Sequence, residues 1–222
     1  MADLQQEKEL VLDFLNNIDK AENKLLAETI SKYTSDDFHM RCTHPFNELK
    51  GADNVANDLW IPIKNSFKPI QRRMDIFYAG TNLIDNHSSK WVVNMGHLLG
   101  IFNNPFLGIV PTRKAVMLWY CEFYRVENNK ITEGAFFLDI LKFMQQLQLP
   151  IIPESTGMVG FNPGPMTHDG LYFNKQPEEE GQKTLDLMMR MANRLVGGGM
   201  KTTIPDLEKD WHKDMIWWGP GG

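Results

Sequence analysis

Two side chains in this sequence stand where they could do acid–base chemistry, Asp139 and His97, and a third ionisable one, Glu122, stands where it could line a pocket. Asp139 follows Phe136, Phe137 and Leu138. A carboxylate among such neighbours is partly desolvated, and desolvation makes it a better proton acceptor. It could take a proton from a carbon flanked by carbonyls. The same position, just before the helical stretch LKFMQQLQL, also suits a helix N-cap. His97 lies within an alternating stretch that places it on one strand face with Trp91, Met95 and Leu99. If that face lines a cavity, the imidazole can donate to a carbonyl or enolate oxygen. Otherwise it is a structural histidine bonded to a neighbouring strand. Glu122 stands among Trp119, Tyr120, Phe123 and Tyr124, and strand parity groups it with Tyr120 and Tyr124. It either lines a pocket or pairs with an arginine such as Arg72, Arg73 or Arg125. Trp60, Trp91, Met95, Trp119, Tyr120 and Phe137 are candidates for an apolar, substrate-binding wall. Met40 and Phe77 are weaker ones, and plain core is the alternative for all of them.

Other motifs carry less. His39, His44, His87, His168 and His212 are scattered without metal-ligand spacing, so no metal is expected. Thr167, His168 and Asp169 are consecutive, which is turn chemistry rather than a triad. Gly51, Gly96, Gly100 and Gly108 form no phosphate loop. The formal charge of −5 and the pI near 5.7 do not attract phosphates, so no nucleic-acid partner is expected. Cys42 and Cys121 form no CxxC pair and read as buried thiols in a reducing compartment. The N-terminus MADLQQEKELVLDFL is too polar for a signal peptide. No apolar run approaches the roughly 18 residues of a membrane span. A cytoplasmic protein without a membrane partner is the expectation.

The elements that must position these side chains follow from periodicity. Residues 3–19 read as an amphipathic helix through Leu4, Val11, Leu15 and Ile18, and a second helix spans 21–33. A short strand is expected at 38–42, then a turn at HPFNELKG. A helix starts near Gly51 and is kinked or shortened by Pro62. Strands are expected at 72–79, 90–102, 115–126 and 131–138, with Asn128-Asn129 as the tight hairpin turn. Helices followed by an antiparallel run give an α+β fold, with helices on one face of a curved sheet. With 42% apolar residues, the chain has enough for a core.

Composition shifts at Pro150. The Pro/Gly-rich stretch 150–177 is long for a loop and carries Ile151, Ile152, Val159, Phe161, Leu171 and Tyr172, so it reads as a linker or lid lying against the first domain. Residues 178–196 form another amphipathic helix, ended by GGG at 197–199. Trp211, Trp217 and Trp218 crowd the tail, which is expected to bury them against the first domain or a second copy.

Several stretches in order carry a family resemblance. They are GHLLGIFNNPFLGIVPTRK (96–114), FYRVENNKITEGAFFLDILKFMQQL (123–147), PGPMTHDG (163–170) and DMIWWGPGG (214–222). The sequence resembles the SnoaL-like polyketide cyclases of the nuclear-transport-factor-2-like superfamily. The resemblance implies a cone-shaped α+β barrel over 1–149, a linker or lid over 150–177, and an incomplete second domain over 178–222. It implies aldol-type ring closure on a hydrophobic, carbonyl-bearing small molecule without cofactor. Asp139 matches the family's acid/base and His97 its pocket histidine. It also implies a homodimer or higher homo-oligomer. A hydrolase or isomerase of the same fold, and a non-catalytic ligand-binding or assembly domain, are the competing readings. Arg113 replaces the family's usual glycine, and Asn103-Asn104-Pro105 lengthens the loop after the histidine strand.

Overall fold

The structure is a computed structural model that describes residues 4–149, 164–165, 167–198 and 203–215. Contacts divide the chain into two compact units, with the boundary between Phe173 and Asn174. The first unit carries all the strands among the described residues. Its elements run α1 (Gln5–Lys20), α2 (Leu26–Tyr33), β1 (Thr34–Cys42), β2 (Glu48–Lys50), α3 (Gly51–Asn54), α4 (Ile61–Ser66), β3 (Phe67–Thr81), β4 (Lys90–Phe102), β5 (Ala115–Glu127), β6 (Lys130–Leu138) and α5 (Ile140–Gln146). The six strands form one sheet in the order β2-β1-β6-β5-β4-β3. All neighbours are antiparallel except β1 and β6.

The helices cover one face of this sheet. Helix α1 buries Val11, Phe14, Leu15 and Ile18 at the spacing of a single helical stripe. Phe14 meets Tyr124 of β5 edge-on at 5.4 Å between ring centres. On the covered face, Val92, Leu98 and Phe102 of β4 join Leu118 and Tyr120 of β5 and Phe136 of β6 in one core. At one end of that core, Phe67, Phe102, Phe106 and Phe143 pack edge-to-face or stacked within 6.0 Å. Burying such rings contributes about 1.5–3 kcal/mol each.

Four local outcomes differ from or refine the sequence reading. The turn at HPFNELKG contains the short strand β2, which pairs with β1 at the sheet edge. Pro62 does not break the helix. The run from Gly51 to Ser66 is continuous, with a wider π turn at Val55–Trp60 leading into Pro62, whose missing N–H cannot bond back to the preceding turn. Asn128 and Asn129 both take positive φ, 48° and 57°, as the tight hairpin requires. Arg113, standing where the resemblance has glycine, takes φ 57° and so adopts the left-handed backbone that glycine favours.

The second unit contains α6 (Glu178–Gly198), which ends inside the glycine run, and α7 (Ile204–Leu207). Arg190 and Arg194 pair with Asp210 at 3.0 and 2.5 Å. Trp211 donates from Nε1 to Met191 Sδ at 2.8 Å, so this tryptophan packs on its own unit. Trp217, Trp218, Ile151, Ile152, Val159 and Phe161 lie outside the described residues. No helix among the described residues is long and apolar enough to cross a membrane.

Candidate functional site

The covered face of the sheet carries a buried polar cluster. Strand pairing sets Asn94 opposite Glu122, Gly96 opposite Tyr120 and Arg72 opposite Leu98. The π turn delivers Trp60 from the helical side. The Arg72 guanidinium lies between two rings, 5.1 Å from the Trp60 centre and 5.0 Å from that of Tyr120. Its Nη1 donates to Glu122 Oε2 at 2.9 Å, while Nε and Nη2 grip Asp19 at 2.8 and 3.1 Å. Asn94 Nδ2 donates to the same Glu122 oxygen at 2.8 Å, and the Tyr120 hydroxyl donates to Asn94 Oδ1 at 3.3 Å. The side chains of Glu122 and Arg72 are 0% and 2% exposed. Asp19, at the C-terminal end of α1, is the partly exposed outer member. Lys64 steadies that end by donating to the Ile18, Asp19 and Ala21 carbonyls.

The electrostatics of this cluster are set by burial. Desolvation pushes the Glu122 carboxyl above the usual carboxylate range, although Arg72 pulls the other way. Burial works against the charge of Arg72, but Glu122 and Asp19 outweigh it and keep the guanidinium charged. Burial also raises the Tyr120 and Tyr124 hydroxyls. In this cluster three buried atoms have no hydrogen-bond partner among the described residues: Glu122 Oε1, Trp60 Nε1 and the Tyr124 hydroxyl. Tyr124 feels the charge of Glu122 without making a bond of normal geometry. An acceptor and donors left unpaired in a core each cost about 1–3 kcal/mol. They are also what a polar group of a ligand would meet.

The nominated residues divide between the two faces. Trp60, Tyr120 and Glu122 lie in the cluster, and of the arginines considered for Glu122 it is Arg72 that pairs with it. Trp91, Met95, His97, Trp119 and Phe137 lie on the opposite face, as the register Met95–Cys121 and His97–Trp119 shows. Phe137 there is 51% exposed. The cause is parity: His97 is one residue out of step with Asn94 and Leu98, and strand neighbours point to opposite faces. His97 Nδ1 stands 3.5 Å from Asp75 Oδ2, and its ring centre is 4.9 Å from that of Trp119. Asp139 is exposed at the N-terminus of α5, where its Oδ1 accepts from Lys142 N at 2.8 Å. That is the N-cap role, and the carboxylate does not join Glu122. Met40 and Phe77 are core.

The sequence reading did not single out Asn94, Asp19, Asp75 or Tyr124 as site members. The signal for Asn94 was present: an amide in step with Val92 and Leu98 on an otherwise apolar face needs a polar partner. Asp19 and Trp60 come from helices, and nothing local says where those helices dock. Among the described residues, no group of three or more His, Cys, Asp or Glu side chains is placed to hold a metal ion.

No protein-family model matches the sequence, and no curated protein matches it. Solved structures do match. A candidate SnoaL-like polyketide cyclase from Jannaschia sp. CCS1 covers 68% of this chain and 95% of its own, with TM-score 0.51 and 15% identity. A candidate polyketide cyclase from Acidithiobacillus ferrooxidans covers 67% and 98%, with TM-score 0.51 and 17% identity. AclR, a candidate hydroxylase from Streptomyces galilaeus, covers 67% and 85%, with TM-score 0.50 and 20% identity. Such low identities speak for shared architecture, and proteins given two different activities share it here. This chain thus has the α+β cone fold of the SnoaL-like polyketide cyclases.

Proposed function

We propose that the first unit is a cofactor-independent acid–base enzyme acting on a mostly apolar, carbonyl-bearing small molecule, with Glu122 rather than Asp139 carrying the proton. One observation supports this most. Glu122 is fully buried, its Oε2 is held by Arg72 and Asn94, and its Oε1 has no partner. A carboxylate so held is oriented, and its raised proton affinity suits abstraction of a proton next to a carbonyl. The Trp60 indole N–H is the unpaired donor available to the enolate oxygen. In an aldol-type closure the proton taken from carbon by Glu122 returns to the new alkoxide, so charge and protons balance without a redox partner. Asn94 and Tyr120 position Glu122 rather than react.

A second reading is a ligand-binding or assembly domain without chemistry. It is favoured by the aromatic rings that fill the core end around Phe67 and Phe143 and by the guanidinium filling the gap between Trp60 and Tyr120. Homodimerisation through the uncovered sheet face, and a cytoplasmic setting, belong to the proposal under either reading.

The test follows α-proton exchange of hydrophobic aryl ketones in D2O by NMR. Wild type and Asp139→Asn should both catalyse exchange, and Glu122→Gln should lose at least about a hundredfold of it. Activity retained in a folded Glu122→Gln protein, or lost in Asp139→Asn, sinks the assignment. Ketone binding without exchange in wild type selects the second reading.

A further inference from the structure

The Asp75–His97 pair on the uncovered face takes no part in the chemistry above, yet it is among the more enclosed ionisable pairs of the unit. Their side chains are 15% and 10% exposed. Part of what encloses them is the stretch around Gly164 to Phe173, which returns to the first unit and adds to the free edge of β3. Gly170 O accepts from Phe77 N at 2.8 Å, and Tyr172 N donates to Phe77 O at 2.8 Å, with Leu171 as the bridging residue. Helix α1 clamps the far end. Lys8 Nζ donates to Tyr172 O at 2.8 Å and Gln5 Nε2 to Phe173 O at 2.9 Å. The Phe173 ring lies 5.2 Å from that of Phe77.

The seat of this segment is Asp75 itself. Asp75 sits at a register shift in β3, between Met74 and Ile76. Two glycines lie against it. A Cβ on Gly164 would be 2.3 Å from Asp75 Oδ1, and one on Gly170 would be 2.6 Å from Asp75 O. No other residue could approach so closely, so docking is built around glycine at both points. The docked segment therefore presses on a carboxylate whose other oxygen faces His97.

We propose that this segment is a strap whose docking is linked to the protonation of His97: it stays seated over Asp75 while the imidazole is neutral and is released when the imidazole becomes charged. The groups acting on the pair are Arg73 beside His97 on β3, and His168 on the strap itself. Arg73 acts on His97 with like charge, against the attraction of the Asp75 carboxylate. The Asp75–His97 separation of 3.5 Å is too long for the strong charged hydrogen bond that would offset burial. Burial accordingly lowers the proton affinity of seated His97 and raises that of Asp75.

The sign follows. A buried histidine with a lowered affinity supports docking fully above the free-imidazole range, near about 6.5, and loses that support as the pH falls through it. Asp75, with a raised affinity, favours docking only in acid, where it takes a proton of its own. Release should set in below neutrality and be opposed again at strongly acid pH.

The experiment is amide hydrogen exchange at Phe77 and Tyr172, corrected for intrinsic rates, on the full chain. Between pH 7.5 and pH 5.5, protection of both amides should fall by about three- to tenfold. In His97→Asn the slope should vanish, and in His168→Gln it should remain. In Asp75→Asn, which keeps the imidazole but removes the carboxylate that offsets its charge in the seat, protection should fall further over the same pH interval than in wild type; a fall no larger than in wild type overturns the linkage, and this arm stands if His97→Asn does not fold. Flat protection in wild type, a slope surviving in His97→Asn, or a slope lost in His168→Gln also overturns it. These readouts involve neither Glu122 nor catalysis.

Discussion

The two faces of β4 and β5 make the most instructive comparison in the molecule. On the covered face, Asn94, Tyr120 and Glu122 are sealed by helices and joined to Arg72 in a network that leaves Glu122 Oε1 unpaired. On the other face, one residue out of step, His97, Trp119, Met95 and Phe137 form a row that no helix of the first unit covers among the described residues, with Phe137 open and His97 enclosed. The two rows have similar composition: each mixes aromatics with one or two ionisable groups. What differs is the solvent. A carboxylate under helices must be paired or protonated, whereas an aromatic on an open face costs little and is available to a partner.

That difference orders the expected effects of substitution. The largest belongs to the covered face. Arg72→Ala leaves Glu122 and Asp19 without their cation, and thermodynamic stability should fall by about 3–5 kcal/mol in urea unfolding. If Arg72→Ala costs less than about 1 kcal/mol, Glu122 is not held as a charge and the contrast between the faces is weaker than drawn. Joint replacement, Arg72→Met with Glu122→Leu, should recover most of the loss. Next is Asp139, at the junction of β6 and α5. Removing its cap in Asp139→Ala should cost about 0.5–2 kcal/mol. In that variant the fraying should stay within α5, read as faster amide exchange at Lys142. Smallest is the open face, where Phe137→Ser should alter the unfolding free energy of dilute protein by no more than about 0.5 kcal/mol. The same change should shift the mass measured by light scattering toward the single chain. An unchanged mass would show that the open face does not associate.

Much of the fold was legible in the sequence. The strands at 90–102, 115–126 and 131–138 have periods and turn residues that leave little choice, and their observed limits agree to within a residue or so. Strands β1 and β3 extend beyond the stretches read from the sequence, because pairing with β6 and β4 recruits polar residues such as Thr34 and Gln71 that have no apolar alternation of their own. Strand β2 was hidden for the same reason: three residues become a strand only beside a partner. The π turn at Val55–Trp60 has no local signature at all, yet it brings Trp60 to the cluster.

The candidate site divides along the same line. The sequence alone determined that Glu122, Tyr120 and Tyr124 share one face, that His97, Met95 and Trp91 share another, and that Asp139 ends β6 where a helix begins. These are consequences of the two-residue period of a strand and of capping chemistry, both local. It did not determine which face the helices cover, because β4 is apolar on both sides and alternation alone cannot rank them. Only the docking of α1 and the Gly51–Ser66 helical run decided that Glu122 is enclosed with Arg72 and Trp60, while His97 meets Asp75 on the other side. Burial, and with it every shift in proton affinity that matters here, is a property of what packs over a residue and not of its neighbours in the chain.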